Sequence, residues 1–274
     1  MPNHKALSNL GSHVYGLAAV ALGLVGLVWG DFATTWQPVP STVPHRVALA
    51  YIYAVCLLLA GAAMQWRPSA RIGAIALAVL YCIPAALWAR RVVAAPRMIG
   101  IWGGFGEEVA LVTAGIVAAC FLPDLRLSPA ASRVVRIVCS VFALCFIALG
   151  IEHYMLLAAT ASFVPKWIPP SQRFWAITTG TAHLLSGLAI FSGVLALLAS
   201  RLLTAMIIVF GVLVWLPAVY RQPHVHMMWV RQCHQPGPPR SRLGHRRRNQ
   251  YPGEAARIRQ NQRSREKRNR RLSY

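Results

Sequence analysis

Acidic residues are almost missing from this sequence. Seven Asp and Glu stand among 274 residues, and all charged types together reach 13%, about half the share of an ordinary soluble domain. That scarcity argues against a water-soluble enzyme. Six cysteines are present, but no Cys-x-x-Cys occurs, so neither a thiolate metal site nor a disulfide framework is indicated. Cys56, Cys82, Cys120, Cys139 and Cys145 fall in apolar runs and read as small packed hydrophobes. Also missing are a Gly-rich nucleotide fingerprint, a nucleophile elbow and a zinc-protease helix motif. The run from Gly103 to Gly106 has no strand before it and reads as close backbone packing. What remains is apolar: 56% hydrophobic residues and a mean hydropathy of +0.48, which excludes a disordered chain.

The apolar residues come in runs long enough to cross a bilayer, for which a helix needs roughly 20. Seven spans are expected, over 14–30, 47–66, 72–89, 105–122, 137–161, 174–199 and 202–220. Their continuous apolarity, without two-residue alternation, fits helices rather than barrel strands. The polar start, 1–13, leads into a first run without a convincing cleavage site, so that run is expected to stay as a helix. Two longer connections are Pro-rich and carry tryptophan: Trp36-Gln-Pro-Val-Pro-Ser-Thr-Val-Pro44 and Phe163-Val-Pro-Lys-Trp-Ile-Pro-Pro170. Proline excludes regular helix there and tryptophan favours the headgroup level, so both are expected as interfacial loops. With a cytoplasmic N-terminus, inside and outside loops carry seven Lys or Arg each. The charge rule therefore sets no orientation.

Pro38 and Pro165 are 127 residues apart, as are Arg46 and Arg173, Pro96 and Pro223, and Trp102 and Trp229. Four matches at one offset, in the same hydropathy order, point to duplication of a four-helix unit in parallel orientation. The expected fold is all-α, a polytopic transmembrane helix bundle of two tandem four-helix repeats. The first repeat is 14–124, and the second, 133–230, has three helices present.

Residues 231–274 break with all this. They hold 14 Lys and Arg against Glu254 and Glu266. Codon degeneracy permits the start, Arg231-Gln-Cys-His-Gln-Pro-Gly-Pro, to be read one base later as Gly-Asn-Ala-Ile-Asn-Leu-Ala, and onward as an apolar helix. After Trp229 that decoding places Gly at +2 and Ala-Leu at +8 and +9, matching Gly104, Ala110 and Leu111 after Trp102. The eighth helix is thus expected to be lost to a frameshift, leaving a basic, frameshifted or disordered tail. The opposing view is a genuine basic tail on anionic lipid or nucleic acid. No aromatic interleaving or nucleic-acid fold signature accompanies the charge, so no nucleic-acid partner is expected.

Ionisable groups within spans are costly and therefore informative. Glu107 and Glu108 are expected to open the fourth span, either as dipole-favoured caps or as a proton or cation site. Glu152 and His153 lie late in the fifth span and His183 near the middle of the sixth. His183 reads as a satisfied structural histidine, or as a contact to Glu152, a metal or haem, or a quinone carbonyl. Equal depth on neighbouring helices predicts that Glu152 meets His183 while His153, about 100° around the helix, points away. His224 and His226 lack the partners a metal site needs. No metal site is expected, and the residues specify no cofactor.

The succession Ala148-Leu-Gly-Ile-Glu-His-Tyr154, Phe163-Val-Pro-Lys-Trp-Ile-Pro169, Phe174-Trp-Ala-Ile-Thr-Thr-Gly180 and Leu188-Ala-Ile190 resembles DoxX-like bacterial integral membrane proteins. It covers about 133–230 well and the first repeat loosely. The resemblance implies a multi-pass protein of the bacterial inner membrane. It also implies a non-catalytic or quinone-linked subunit of a membrane oxidoreductase complex, with the lipid bilayer, partner subunits and quinone as partners. The alternative is a small-solute or proton-coupled transporter, suggested by the parallel repeat and the intramembrane carboxylates. A transporter calls for a wet pocket lined by Glu107, Glu108 and Glu152; a quinone-linked subunit calls for a cleft beside His183 and Trp175.

Overall fold

A computed structural model describes residues 10–33, 36–121, 129–215 and His226. The described chain is helical, with no strand among the described residues. Seven long helices follow one another: α1 (Leu10–Trp29), α2 (Arg46–Ala63), α3 (Ala70–Ala94), α4 (Ile99–Phe121), α5 (Pro129–Met155), α7 (Gln172–Ser192) and α8 (Ala196–Phe210). The short α6 (Leu157–Ala161) precedes α7, and a π-turn, Gly211–Trp215, extends α8. All seven long helices have the length and apolarity to cross a membrane. The protein is a multi-pass membrane protein.

Apolar side chains cover both the inside and the outside of this bundle. Val93 is 82% exposed and Val28 74%, which water would penalise and lipid does not. Inside, Leu57, Leu77, Met64 and Trp36 form the core of the first half, and Phe146, Leu149 and Leu203 that of the second.

With no hydrophobic drive between helices in lipid, close backbone approach at small residues holds such pairs together. Between α1 and α2, a Cβ on Gly61 would fall 2.5 Å from the Gly16 carbonyl oxygen and 2.9 Å from the Val20 nitrogen. One on Gly23 would fall 2.7 Å from the Ala54 oxygen and 2.8 Å from the Leu58 nitrogen. Between α5 and α7, a Cβ on Gly187 would lie 2.7 Å from the Ala143 oxygen and 2.9 Å from the Ile147 nitrogen. On Gly150 it would meet the Gly180 oxygen at 2.9 Å and the Leu184 nitrogen at 2.8 Å.

Several boundaries differ from the sequence expectation. α1 begins at Leu10, inside the segment assigned to the polar start. α4 begins at Ile99 rather than near 105: Gly103 and Gly104 sit inside it where neighbouring side chains demand small residues, not where the helix stops. α5 ends at Met155, and Leu156 separates it from α6. The sixth span stops at Ser192, where Gly193 takes a left-handed conformation (φ 76°) and donates its N–H to Ile190 O, so α8 starts six residues earlier than expected.

Candidate functional site

The Pro-rich connection after α1 packs its tryptophan into the bundle. Trp36 is 2% exposed, and the chain around it is folded back onto the bundle by polar contacts. The Asp31 carboxylate pairs with the Arg46 guanidinium and accepts the Phe32 N–H. Gln37 Oε1 accepts the Ala33 N–H at 3.0 Å. The indole of Trp88 on α3 donates to the Trp36 carbonyl at 2.8 Å. The Trp36 indole in turn donates to Glu107 Oε2 at 3.1 Å. Trp36 is thus buried rather than lipid-facing, because its indole N–H has a carboxylate to bond inside the bundle. Trp167, in the second Pro-rich connection, is 58% exposed.

Because α4 starts at Ile99, Glu107 and Glu108 occupy its third turn and cannot cap its N-terminus. Neither carboxylate is a helix cap, contrary to the sequence expectation. Glu108 has no exposed surface and lies within electrostatic reach of Tyr15 and Tyr53. Glu107 is within such reach of Glu108 and Glu152. The glycines before them do act as close-packing positions. Gly104 leaves room for the Trp88 ring, which a Cβ would meet at 2.5 Å, and Gly103 leaves room for the Glu152 carboxylate.

The expected Glu152–His183 contact is reversed. Glu152 turns toward Gly103 on α4, whereas the His153 and His183 rings meet edge to face with centroids 4.9 Å apart. The cause is the azimuth of α5. Gly150 opposes Gly180 and Leu184 on α7, and residues three apart share a helix face, so His153 faces α7 and Glu152 does not. His153 Nδ1 is 2.8 Å from the Leu149 carbonyl, which assigns the proton to Nδ1 and leaves Nε2 as an acceptor. His183 is 3% exposed, and its Nδ1 has no hydrogen-bond partner. Phe146 packs on the same imidazole at 5.7 Å between centroids.

Glu107, His153, His183 and Phe146 border one cavity of about 310 Å³. Its walls are mainly apolar, among them Phe142, Phe146 and Leu149 of α5. Glu107, His153 and His183 supply its carboxylate and imidazoles, and Tyr15 and Tyr81 also line it. Glu108, Glu152 and Trp175 do not line it; the Trp175 indole instead donates to the Pro169 carbonyl at 2.8 Å. Chemically the cavity offers a carboxylate and two imidazoles to a flat apolar molecule carrying a few polar atoms. Among the described residues no three His, Cys, Asp or Glu are grouped to hold a metal.

His226 stacks on Trp29 at 5.1 Å, away from that cavity; burial lowers its pKa, and Asp31 opposes the shift. His224 lies outside the described residues. Of the cysteines, Cys145 is buried and Cys82 exposed, and all five described ones are free thiols. Trp36 enters the sequence reading only as a loop tryptophan, and no spacing or motif marks its bond to Glu107. No family model, curated protein or solved structure matches the chain.

Proposed function

We propose that the protein is a DoxX-like, non-catalytic subunit of a membrane oxidoreductase complex that holds a quinone between its helices in the bacterial inner membrane. The observation that carries this is His183: a buried imidazole with an unpartnered Nδ1 on the wall of an apolar cavity. An unsatisfied buried polar atom costs about 1–3 kcal/mol, and a quinone oxygen removes that cost while its ring packs against Phe146. Ligand sites of this kind are largely apolar with a few placed polar groups.

Two substitutions test it. Decylubiquinone binding to the purified protein, followed by tryptophan quenching, is expected to weaken roughly tenfold in His183→Leu, the value of one hydrogen bond of ~1.4 kcal/mol. His183→Gln, which keeps a donor and an acceptor, should lose less. Equal binding by wild type and His183→Leu removes the proposal. Co-purification with redox subunits tests the assembly part.

Glu107 and Glu108, both within the α4 span, favour a second reading as a proton-coupled transporter. Proton flux in liposomes that Glu107→Gln abolishes would select it.

The tandem duplication is supported by packing as well as by spacing. Gly16 and Val20, which face Gly61, lie 127 residues before Ala143 and Ile147, which face Gly187. Gly23 and Gly150 are also 127 apart, and their partners Ala54 and Leu58 lie 126 before Gly180 and Leu184. The same atoms meet in both helix pairs. An eighth helix, restored by a one-base shift after codon 230, completes the second unit in this reading.

A further inference from the structure

The cavity has a feature that a small ligand does not account for. It follows α8 along its whole length, with Ser200, Leu203, Thr204, Ile207, Phe210 and Val214 all on its wall. Steps of three and four mark one continuous stripe of a helix. α4 and α5 present stripes of their own to the same space, Glu107, Ala110 and Ala114 on one and Phe142, Phe146 and Leu149 on the other. A groove bounded by stripes running along several helices has the form of a helix seat.

The first half contains the matching face, and there it is covered. The α3 residues 126 places earlier are Ala74, Leu77, Ala78, Tyr81, Pro84 and Trp88. None of the six is more than 8% exposed. What covers them is α4. A Cβ on Gly115 would lie 3.0 Å from both the Ala74 oxygen and the Ala78 Cβ, and one on Gly104 would meet the Trp88 ring. The Tyr15 hydroxyl closes the same contact by donating to the Leu111 carbonyl at 2.9 Å. Tyr15 lies 127 residues before Phe142, which lines the groove.

We infer that the groove along α8 is the seat of a fourth helix of the second unit, the one encoded one base out of frame after Val230; this rests on the duplication reading above. Codon degeneracy allows Gly at the position matching Gly104, where it would face Val214 as Gly104 faces Trp88, and Ala thirteen places past Trp229, at the position matching Gly115, where it would face Ser200 and Thr204. The helix shields the α8 stripe from lipid. The end of the cavity bounded by Glu107, His153 and His183 stays open for a small ligand.

The test uses the full gene with one base removed after codon 230. Cysteines are placed at Thr204 and at the thirteenth position past Trp229, and the membranes are oxidised with copper phenanthroline. After denaturation the oxidised chain should take two fewer PEG-maleimide groups than the reduced double variant without its oxidant. Ala78→Cys with Gly115→Cys in the first half is the reference pair, since the Cβ separation there is 3.0 Å and a relaxation of about 0.5 Å brings it into the disulfide range. A cross-link between chains assigns the groove to a second copy and overturns the inference, as does no cross-link where the reference pair forms one. With no cysteine introduced, the frame-restored protein should also melt at least ten degrees above the 274-residue chain in detergent; an equal midpoint overturns the inference. Stop codons within a few triplets of the shifted frame overturn it together with the missing-helix reading. An open frame without the cross-link overturns the seat alone. The quinone assay on His183→Leu is read separately and fails or succeeds on its own.

Discussion

Gly150→Leu is expected to separate α5 from α7 and to lower stability by about 3 kcal/mol, the upper range for overpacking a filled interface. The obstruction is backbone, since the added Cβ would fall 2.8 Å from the Leu184 nitrogen and 2.9 Å from the Gly180 oxygen. No rotamer relieves it. Gly150→Ala should already cost about 1–2 kcal/mol for the same reason. Gly106→Ala provides a control of opposite sign. Nothing lies within 4 Å of a Cβ there, so the helix should gain up to ~1 kcal/mol from the better helix former. Melting midpoints in one detergent, compared across the three variants, check both signs. A tolerated Gly150→Leu would mean that α5 and α7 are not held by backbone approach.

Trp36→Ala should be the most damaging single change outside the helices. It empties one of the largest fully buried side-chain volumes, a loss of about 3–5 kcal/mol for an aromatic. It also removes the donor to Glu107 Oε2. Trp36→Phe divides the two effects: it keeps most of the volume and loses only the indole N–H, a cost of about 1–3 kcal/mol. Combining Trp36→Phe with Glu107→Leu should recover part of that, because the carboxylate left behind is what makes the single change costly. Heat challenge followed by size-exclusion chromatography measures all three. If Trp36→Phe matches wild type, the hydrogen bond does not hold the connection in place.

The helices were legible because a bilayer asks for one thing that sequence displays directly, a run of about 20 apolar residues. Their ends were less so. The glycines at 103, 104 and 106 look like a break when propensity is considered alone. They lie within α4, and at Gly103 and Gly104 the space a side chain would need is taken by Glu152 and Trp88. The polar pairing failed for a related reason. Composition tells that Glu152 and His153 are both candidates, but which one meets His183 depends on the rotation of α5, and Gly150 fixes that rotation by opposing Gly180. Trp36, a tryptophan among prolines, reads as an interfacial residue, and nothing nearby in the sequence says that it packs inward. Its burial follows from a carboxylate 71 residues away in sequence, a partner no local pattern reveals.

Glu107 and His183 reach the same cavity from different halves of one polypeptide, α4 and α7. Had these halves been separate chains, the cavity would form only as fast as they met in the membrane, and its occupancy would follow how densely each was expressed. Joined in one chain, α4 and α5 meet as an intramolecular event at a fixed effective concentration. The fraction of molecules with a complete acid-and-imidazole wall is then independent of copy number. Dilution into excess lipid should leave it unchanged.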